Sequence, residues 1–497
     1  MVPGFPGRRR REWVVFLVLV SAAAFLAPAA RGCTTVLAAG NATVDGSIIV
    51  AKNRDLSEYE VQWLYRAPSM HHVPGATVSL QYIEIPQAET TYGWVGSKSY
   101  DKKWGVGMGI NEWGVVVADN DASTREPREG EAGLHDNDVC RLVLERSRTA
   151  YEGVQLVGSL IEMYGHSFVG QIYWIVDPEE AWIVECAGRH WAAVKVEDGV
   201  AVRANQFQIT TSWDEGSDDL IEYAVDRGWC KSATDFNFAE CYSSRGYPYR
   251  SSQTRLERGL DLLGNKMGAL TREDLMEVLS DHYEDTPMYR SPHGNDLYRT
   301  ICSGRTVSAM VVQLEPGLPS GMQVMWYCMS SPCVGVFMPV YANVSTVPEP
   351  YLTGEGPESL SGYDEESAWW VYKMLQLSVD EAYGERQPLV RERWDELYAA
   401  ASSEVEEMEE VLLGLYAGGE EAEARRLMNA LVEERLMEGY ELAVETVNGF
   451  MGGEEPEPAE AAEREEDKTL VYLGVVGFML LIGGVLVVYI MKVGGGH

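Results

Sequence analysis

The sequence predicts an α+β body of mostly antiparallel strands, followed by a helical C-terminal part and framed by two apolar ends. Short β-rich runs, separated by turns rich in Gly, Asn and Asp, recur from Cys33 to Val340 and alternate with stretches of helical period. After Pro350 the composition shifts to long Glu-, Leu- and Ala-rich stretches. No repeat of fixed period is present, which argues against a solenoid or propeller.

At the N-terminus, Arg8 to Arg11 precede an apolar run from Trp13 to Ala27, and Pro28-Ala29-Ala30-Arg31-Gly32 leads to Cys33. This is the order of a secretory signal peptide, so residues 1–32 are expected to be removed, with Ala30 and Gly32 as the small residues at the cut. The body is expected over 33–350. Its first strands are read at Cys33 to Leu37, Ser47 to Ala51 and Val61 to Tyr65, and a hairpin at Val106 to Ile110 and Val115 to Ala118 turns through Asn111-Glu112-Trp113-Gly114. Helical periodicity spans Asp136 to Tyr164, broken near Arg148-Thr149. Strands follow at 172–176, 181–186, 192–196 and 200–204, helices at 220–227, 255–263 and 272–282, and strands again at 306–314, 322–327 and 334–340.

The helical part over 351–451 reads as three helices, at 366–380, 388–416 and 420–447. Trp369, Trp370, Trp394, Leu412, Leu427 and Leu431 give them apolar faces that a spacer would not need. Residues 452–469 are acidic and poor in apolar residues, the composition of an extended stalk. Leu470 to Met491 is uncharged and long enough to cross a hydrocarbon core, which predicts a transmembrane helix before a short tail at 492–497. The chain is therefore expected at the cell membrane, single-pass, with its body outside.

With 40 basic against 76 acidic residues the formal charge is −36, which excludes a sequence-independent nucleic-acid binder. Of eight cysteines, Cys230/Cys241 and Cys328/Cys333 are near enough in sequence to be disulfide candidates. There is no CxxC pair and no HExxH, and the histidines are scattered apart from His71-His72, so neither a metal nor a cofactor is expected.

Cleavage after Gly32 would make Cys33 the first residue of the mature chain. A thiol and a free α-amine on one residue form a nucleophile with its own base, because an amine of pKa about 7.7 accepts a proton near neutrality. Cys33-Thr34-Thr35-Val36-Leu37 and Ala42-Thr43-Val44-Asp45-Gly46-Ser47-Ile48-Ile49-Val50-Ala51-Lys52-Asn53-Arg54-Asp55 resemble the start of the N-terminal-nucleophile cysteine dipeptidases, the dipeptidase A and secernin-like family. Ile110 to Val115, Asp177 to Trp191, Asp281-His282-Tyr283-Glu284, Pro332 to Tyr341 and Ser367-Ala368-Trp369-Trp370 look like further blocks in family order. The resemblance covers about residues 33 to 450.

It implies a four-layer αββα N-terminal-nucleophile hydrolase fold and hydrolysis of dipeptides through a thioester on Cys33. Carried over residue by residue, Asp55 matches an Asp that would hold the Cys33 ammonium. Lys52 stands where the superfamily has an Arg beside the thiol; a cation there lowers a thiol pKa, but Lys lacks the planar fork. Arg54 shares its face by strand alternation. Asn205 aligns with an oxyanion donor, and Asn120 is a second candidate. Arg305 matches an Arg that would polarise the thiol or bind a substrate carboxylate. His282 with Glu284 is read as structural, since the first-residue mechanism needs no histidine. The alternatives are an acylase of the same fold acting on non-peptide amides and a non-catalytic envelope protein.

Overall fold

The computed structural model describes residues 32–127, 129–295, 298–356 and 360–452. Residues 1–31 of the expected signal peptide at 1–32, the expected acidic stalk over 453–469 and the predicted membrane span lie outside the described residues. No helix among the described residues is long and apolar enough to cross a membrane.

The elements run β1 (Thr34–Ala39), β2 (Ile48–Asp55), β3 (Gln62–Ala67), β4 (Trp94–Ser99), β5 (Met108–Asn111), β6 (Val116–Ala122), α1 (Asp136–Arg146) and α2 (Ala150–Tyr164). They continue with β7 (Gly170–Val176), β8 (Ala181–Ala187), β9 (His190–Lys195), β10 (Gly199–Arg203), β11 (Glu215–Gly216), α3 (Leu220–Asp226), α4 (Phe238–Tyr242), α5 (Arg250–Gly264) and α6 (Arg272–Leu279). β12 (Thr306–Leu314), β13 (Val324–Met329) and β14 (Met338–Tyr341) precede α7 (Ala368–Asp380), α8 (Tyr383–Gly418) and α9 (Glu421–Met451).

Two large antiparallel sheets result, a six-stranded one in the order β10-β1-β2-β12-β13-β14 and an eight-stranded one in the order β11-β9-β8-β7-β6-β5-β4-β3, with two short two-stranded ribbons in the connection from β3 to β4. The period-2 alternation of β6 shows how they stack. Val116 and Ala118 join Trp174 and Val176 of β7 in a core shared with β1 and β2, whereas Val117 joins Tyr173 and Ile175 in a second core with Val139, Val143, Val154 and Ile161 of α1 and α2. One face of the eight-stranded sheet thus meets the other sheet and the opposite face meets two helices. On the far side of the six-stranded sheet α5 and α6 pack over β10, β2 and β12, and α7 and α9 over β13 and β14. The layer order is helix, sheet, sheet, helix.

The break at Arg148-Thr149 divides α1 from α2, where the Thr149 hydroxyl accepts from the Glu152 N–H as an N-cap. α8 starts at Tyr383, ahead of the expected 388, and carries Pro388 inside it. Strand β4 is absent from the sequence reading. Its Gly96 faces Gly109 of β5, where an added Cβ on Gly96 would come within 2.3 Å of the Met108 carbonyl. The strand is therefore held by a close backbone approach that its Gly, Ser and Lys content does not advertise. The C-terminal helices are anchored to the body by buried donors: Trp369 Nε1 reaches the Val307 carbonyl at 2.9 Å and Trp394 Nε1 the Val334 carbonyl at 2.7 Å.

Cys230 and Cys241 are bridged, as one of the two sequence candidates had it. The other, Cys328/Cys333, is corrected: both thiols are free. The Cys328 Sγ lies beneath Gly335, 2.4 Å from where that residue's Cβ would be, while the Cys333 Sγ turns to His293 Nε2 at 3.3 Å.

Candidate active site

Strand β2 is apolar over Ile48-Ile49-Val50-Ala51 and polar over Lys52-Asn53-Arg54-Asp55, yet buried throughout. A buried polar group without a partner costs about 1–3 kcal/mol, and a charge more, so this half-strand has to be matched by groups from elsewhere.

Alternation divides its side chains between the two faces. Lys52 and Arg54 face the second sheet. Lys52 Nζ donates to the Gly107 carbonyl at 3.0 Å and pairs with the buried Asp119 carboxylate of β6. Arg54 Nη2 reaches the Ser99 hydroxyl at 3.3 Å, and its guanidinium fills the space a Cβ on Gly107 would need, 0.8 Å from Nη1. Asn53 and Asp55 face the helices. Asn53 Nδ2 donates to the carbonyls of Leu279 at 2.7 Å and Ile301 at 2.9 Å, and Asp55 Oδ1 accepts from the Thr306 hydroxyl at 2.7 Å. A bulge between Thr306 and Ser308 sets Thr306 opposite Asp55 and Ser308 opposite Arg54.

Pairing of Thr34 with Asn53 and Thr35 with Lys52 brings the head of β1 to this polar end. Cys33 is 8 % exposed, and the Asp55 backbone N–H points to its Sγ at 3.4 Å. Burial pushes the Cys33 thiol up to about 11; Lys52 opposes the rise, while Asp55 and Asp119 add to it. In the chain that still carries Gly32, the thiolate is therefore scarce at neutral pH, and attack requires a base at the sulfur. Burial also raises the Asp55 carboxyl above its usual range, against the pull of Arg299, the Thr306 hydroxyl, Arg255 and Arg305.

Arg255, fully buried on α5, ties the site together. Its Nη1 donates to the carbonyls of Gly32 at 2.6 Å and Cys33 at 2.8 Å and to the Thr34 hydroxyl at 2.9 Å, and Nη2 to Asn205 Oδ1 at 2.8 Å. Asn205 Nδ2 in turn donates to the Asp121 carbonyl at 2.9 Å, which occupies one of its two N–H groups. Asn120 is different. Its Oδ1 accepts from the Thr35 hydroxyl at 2.8 Å and from the Trp174 indole at 3.0 Å, and its Nδ2 is buried without a hydrogen-bond partner. An indole N–H only donates, which fixes which end of the amide is oxygen.

Arg305 stands at the edge of this system. Its Nε donates to the Leu56 carbonyl at 3.1 Å, next to Asp55, and the side chain lines a cavity with Glu58, His293, Gln376, Asp380 and Tyr383. His282 Nδ1 pairs with Glu284 Oε1 at 2.7 Å, on a different cluster from Cys33. The structure thus gathers Cys33, Lys52, Asp55, Asn120 and Asn205 at one end of β1 and β2, with Arg305 beside them. Sequence reasoning missed Arg255, Asp119, Thr306 and Arg299, whose guanidinium lies 2.2 Å from where a Gly32 Cβ would be. For Asp119 a signal existed, since it directly precedes Asn120 in Ala118-Asp119-Asn120-Asp121. Arg255, in the middle of a polar helix, gave none.

The profile of peptidase family C69 matches residues 32–255 and 248–396, starting one residue before the buried cysteine at the head of β1. The chain belongs to peptidase family C69. This C69 peptidase is 26 % identical over 397 residues to a probable dipeptidase of Latilactobacillus sakei, covering 71 % of the chain and 82 % of the relative. It is 25 % identical over 395 residues to probable dipeptidase B of Lactococcus lactis, with the same 71 % and 82 % coverage. Among solved structures it is similar to penicillin V acylase from Agrobacterium tumefaciens at 14 % identity and TM-score 0.37, covering 64 % of the chain and 89 % of the acylase. A conjugated bile acid hydrolase from Clostridium perfringens matches at 14 % identity and TM-score 0.35, covering 60 % and 89 %.

Proposed function

We propose that this C69 peptidase is an exported cysteine dipeptidase, held at the membrane by the apolar segment 470–491, that acts through Cys33 as its mature N-terminal residue. The observation that carries the reading is the meeting of the Cys33 thiol with the buried polar half of β2, in a chain of a peptidase family whose match begins at residue 32. Cleavage before Cys33 frees an α-amine on the same residue as the buried thiol. The amine takes the thiol proton, and sulfur attacks the scissile carbonyl. The resulting ammonium passes the proton to the leaving amine, and water, deprotonated by the same amine, releases the acyl group from the thioester. Lys52 stabilises the developing thiolate, and the Asp55 carboxylate orients the ammonium.

Asn120 supports the oxyanion. Its Nδ2 is a buried donor with no partner, and Thr35 and Trp174 hold the amide from the other side. Asn120→Ala is expected to lower kcat by about 10²–10³ with little change in KM, as for other single oxyanion donors. A matching rise in KM at constant kcat would assign the amide to substrate binding instead. Asn205 acts chiefly by positioning Arg255.

The reading is tested with the mature chain on a panel of dipeptides and the corresponding N-acyl amino acids. A dipeptidase pocket discriminates for the free substrate ammonium, so dipeptides are expected to be hydrolysed with the higher kcat/KM. Preference for the N-acyl compounds would make the protein an acylase on the same fold, and no turnover of either would leave a non-catalytic surface protein.

A further inference from the structure

On the helix side of the six-stranded sheet, four side chains from two connections converge: His282, His293 and Cys302 between α6 and β12, and Cys333 between β13 and β14. Their ligand atoms all lie within 4.8 Å of one another. Cys333 Sγ is 3.3 Å and Cys302 Sγ 3.9 Å from His293 Nε2. Tetrahedral zinc, at about 2.3 Å from sulfur and about 2.0 Å from nitrogen, sets its ligand atoms about 3.3–3.8 Å apart. The cluster has nearly that spacing already.

The histidines are also oriented for it. His282 Nδ1 lies 2.7 Å from Glu284 Oε1, and His293 Nδ1 lies 2.6 Å from Asp380 Oδ1. An Nδ1–H donated to a carboxylate leaves the Nε2 lone pair free, which is the arrangement of carboxylate, histidine and metal found around zinc. His282 Nε2 is buried and makes no well-aligned hydrogen bond, its polar neighbour being the Cys333 thiol of the same cluster. The ring of Tyr383, with its centroid 6.0 Å from that of His282 and 6.1 Å from that of His293, closes over the two imidazoles. Tyr283, Arg299 and Ser330, none of them glycine, hold φ values of 67°, 48° and 65° in the segments that carry the ligands. Such backbone persists only where its surroundings over-determine it.

We propose that His282, His293, Cys302 and Cys333 form a structural Zn²⁺ site of the Cys2His2 type. Two thiols lose their protons to solvent on binding, and two neutral imidazoles complete a set with no net charge. Four protein ligands leave no open position, so the ion does no chemistry on substrate. What it does is clamp the 282–303 connection. Cys302 lies between Arg299, which rests against Gly32, and Arg305, and the carbonyl of Ile301 accepts from Asn53 of β2. Zinc would thus hold the helix-side wall of the Cys33 site in place from outside it.

The test uses the full-length chain purified without chelators. Elemental analysis is expected to find one zinc per chain, retained in Cys33→Ala and reduced at least tenfold in Cys302→Ser, Cys333→Ser and His293→Ala. Should those variants fail to fold, the unsubstituted protein decides. Exchange with Co²⁺ is expected to give the ligand-field and thiolate charge-transfer bands of a tetrahedral site, and a strong chelator is expected to lower Tm by about 5 °C or more. Less than about a tenth of an equivalent of zinc together with a colourless cobalt titration would overturn the proposal. A peptide map in which Cys302 and Cys333 are disulfide-linked would do so as well.

Discussion

Cys33→Ala is expected to lower dipeptide hydrolysis by about 10⁴-fold or more, the scale of loss when a covalent nucleophile is removed from an otherwise intact site. The fold should survive it. The hydrogen bonds of the thiol among the described residues are long ones to the Asp55 backbone, at 3.4 and 3.9 Å, and losing one buried sulfur costs roughly 1 kcal/mol. Kinetics on a dipeptide, with thermal melting beside them, separate loss of chemistry from loss of structure. Cys140→Ala is the control, since that thiol is buried in the second core between α1 and the eight-stranded sheet and has no part in the mechanism. If Cys33→Ala keeps more than about a tenth of the activity, or if Cys140→Ala loses it equally, Cys33 is not the nucleophile.

Cys33 stands out in the sequence because position and local pattern coincide: a signal-peptide-like pattern leads up to it, and the β-rich runs that follow end in Lys52-Asn53-Arg54-Asp55. Strand β12 was readable to the residue, since Thr306–Leu314 is β-branched or apolar at every position but Ser308 and Gln313. The contacts that make the site were not readable, because they join residues distant in the chain. Lys52 finds Asp119 across the sheet stack, and Arg255 reaches back 222 residues to the Cys33 carbonyl. Asn120 is the second oxyanion candidate beside Asn205; its Nδ2 is buried without a partner, whereas Asn205 Nδ2 has one of its two N–H groups on the Asp121 carbonyl, a difference that the sequence does not carry.

The same limit explains the four possible zinc ligands. A local metal motif has its ligands at short, fixed spacings, and a search for CxxC or HExxH returns nothing here. His282, His293 and Cys302 lie in the connection between α6 and β12 and Cys333 in the one between β13 and β14, two connections that the pairing of β12 with β13 brings together. Their isolation in sequence argued against a metal, and their convergence in space argues for one.

Removing the residues upstream of Cys33 is expected to raise activity by about 10²–10⁴-fold, the usual contribution of a positioned general base. In the unprocessed chain the Cys33 nitrogen is an amide and cannot accept a proton, and Gly32 lies over the site, its carbonyl held by Arg255 and its Cα beside Arg299. The measurement replaces residues 29–32 with a recognition sequence for a protease that cuts directly before Cys33, and assays the purified protein before and after cleavage. Equal activity in the two samples would remove the α-amine from the mechanism. The pH profile of the cleaved form carries the same question further. Below its pKa of about 7.7 the amine is protonated and cannot take the thiol proton, so kcat/KM should fall tenfold per unit toward acid and level off above about pH 8. A thiol that simply ionised at about 11 would instead keep the rate climbing through pH 9 and 10. The amine mechanism therefore predicts a plateau where the thiolate mechanism predicts a slope, because burial has moved the thiol out of the physiological range and left the base to do the titrating.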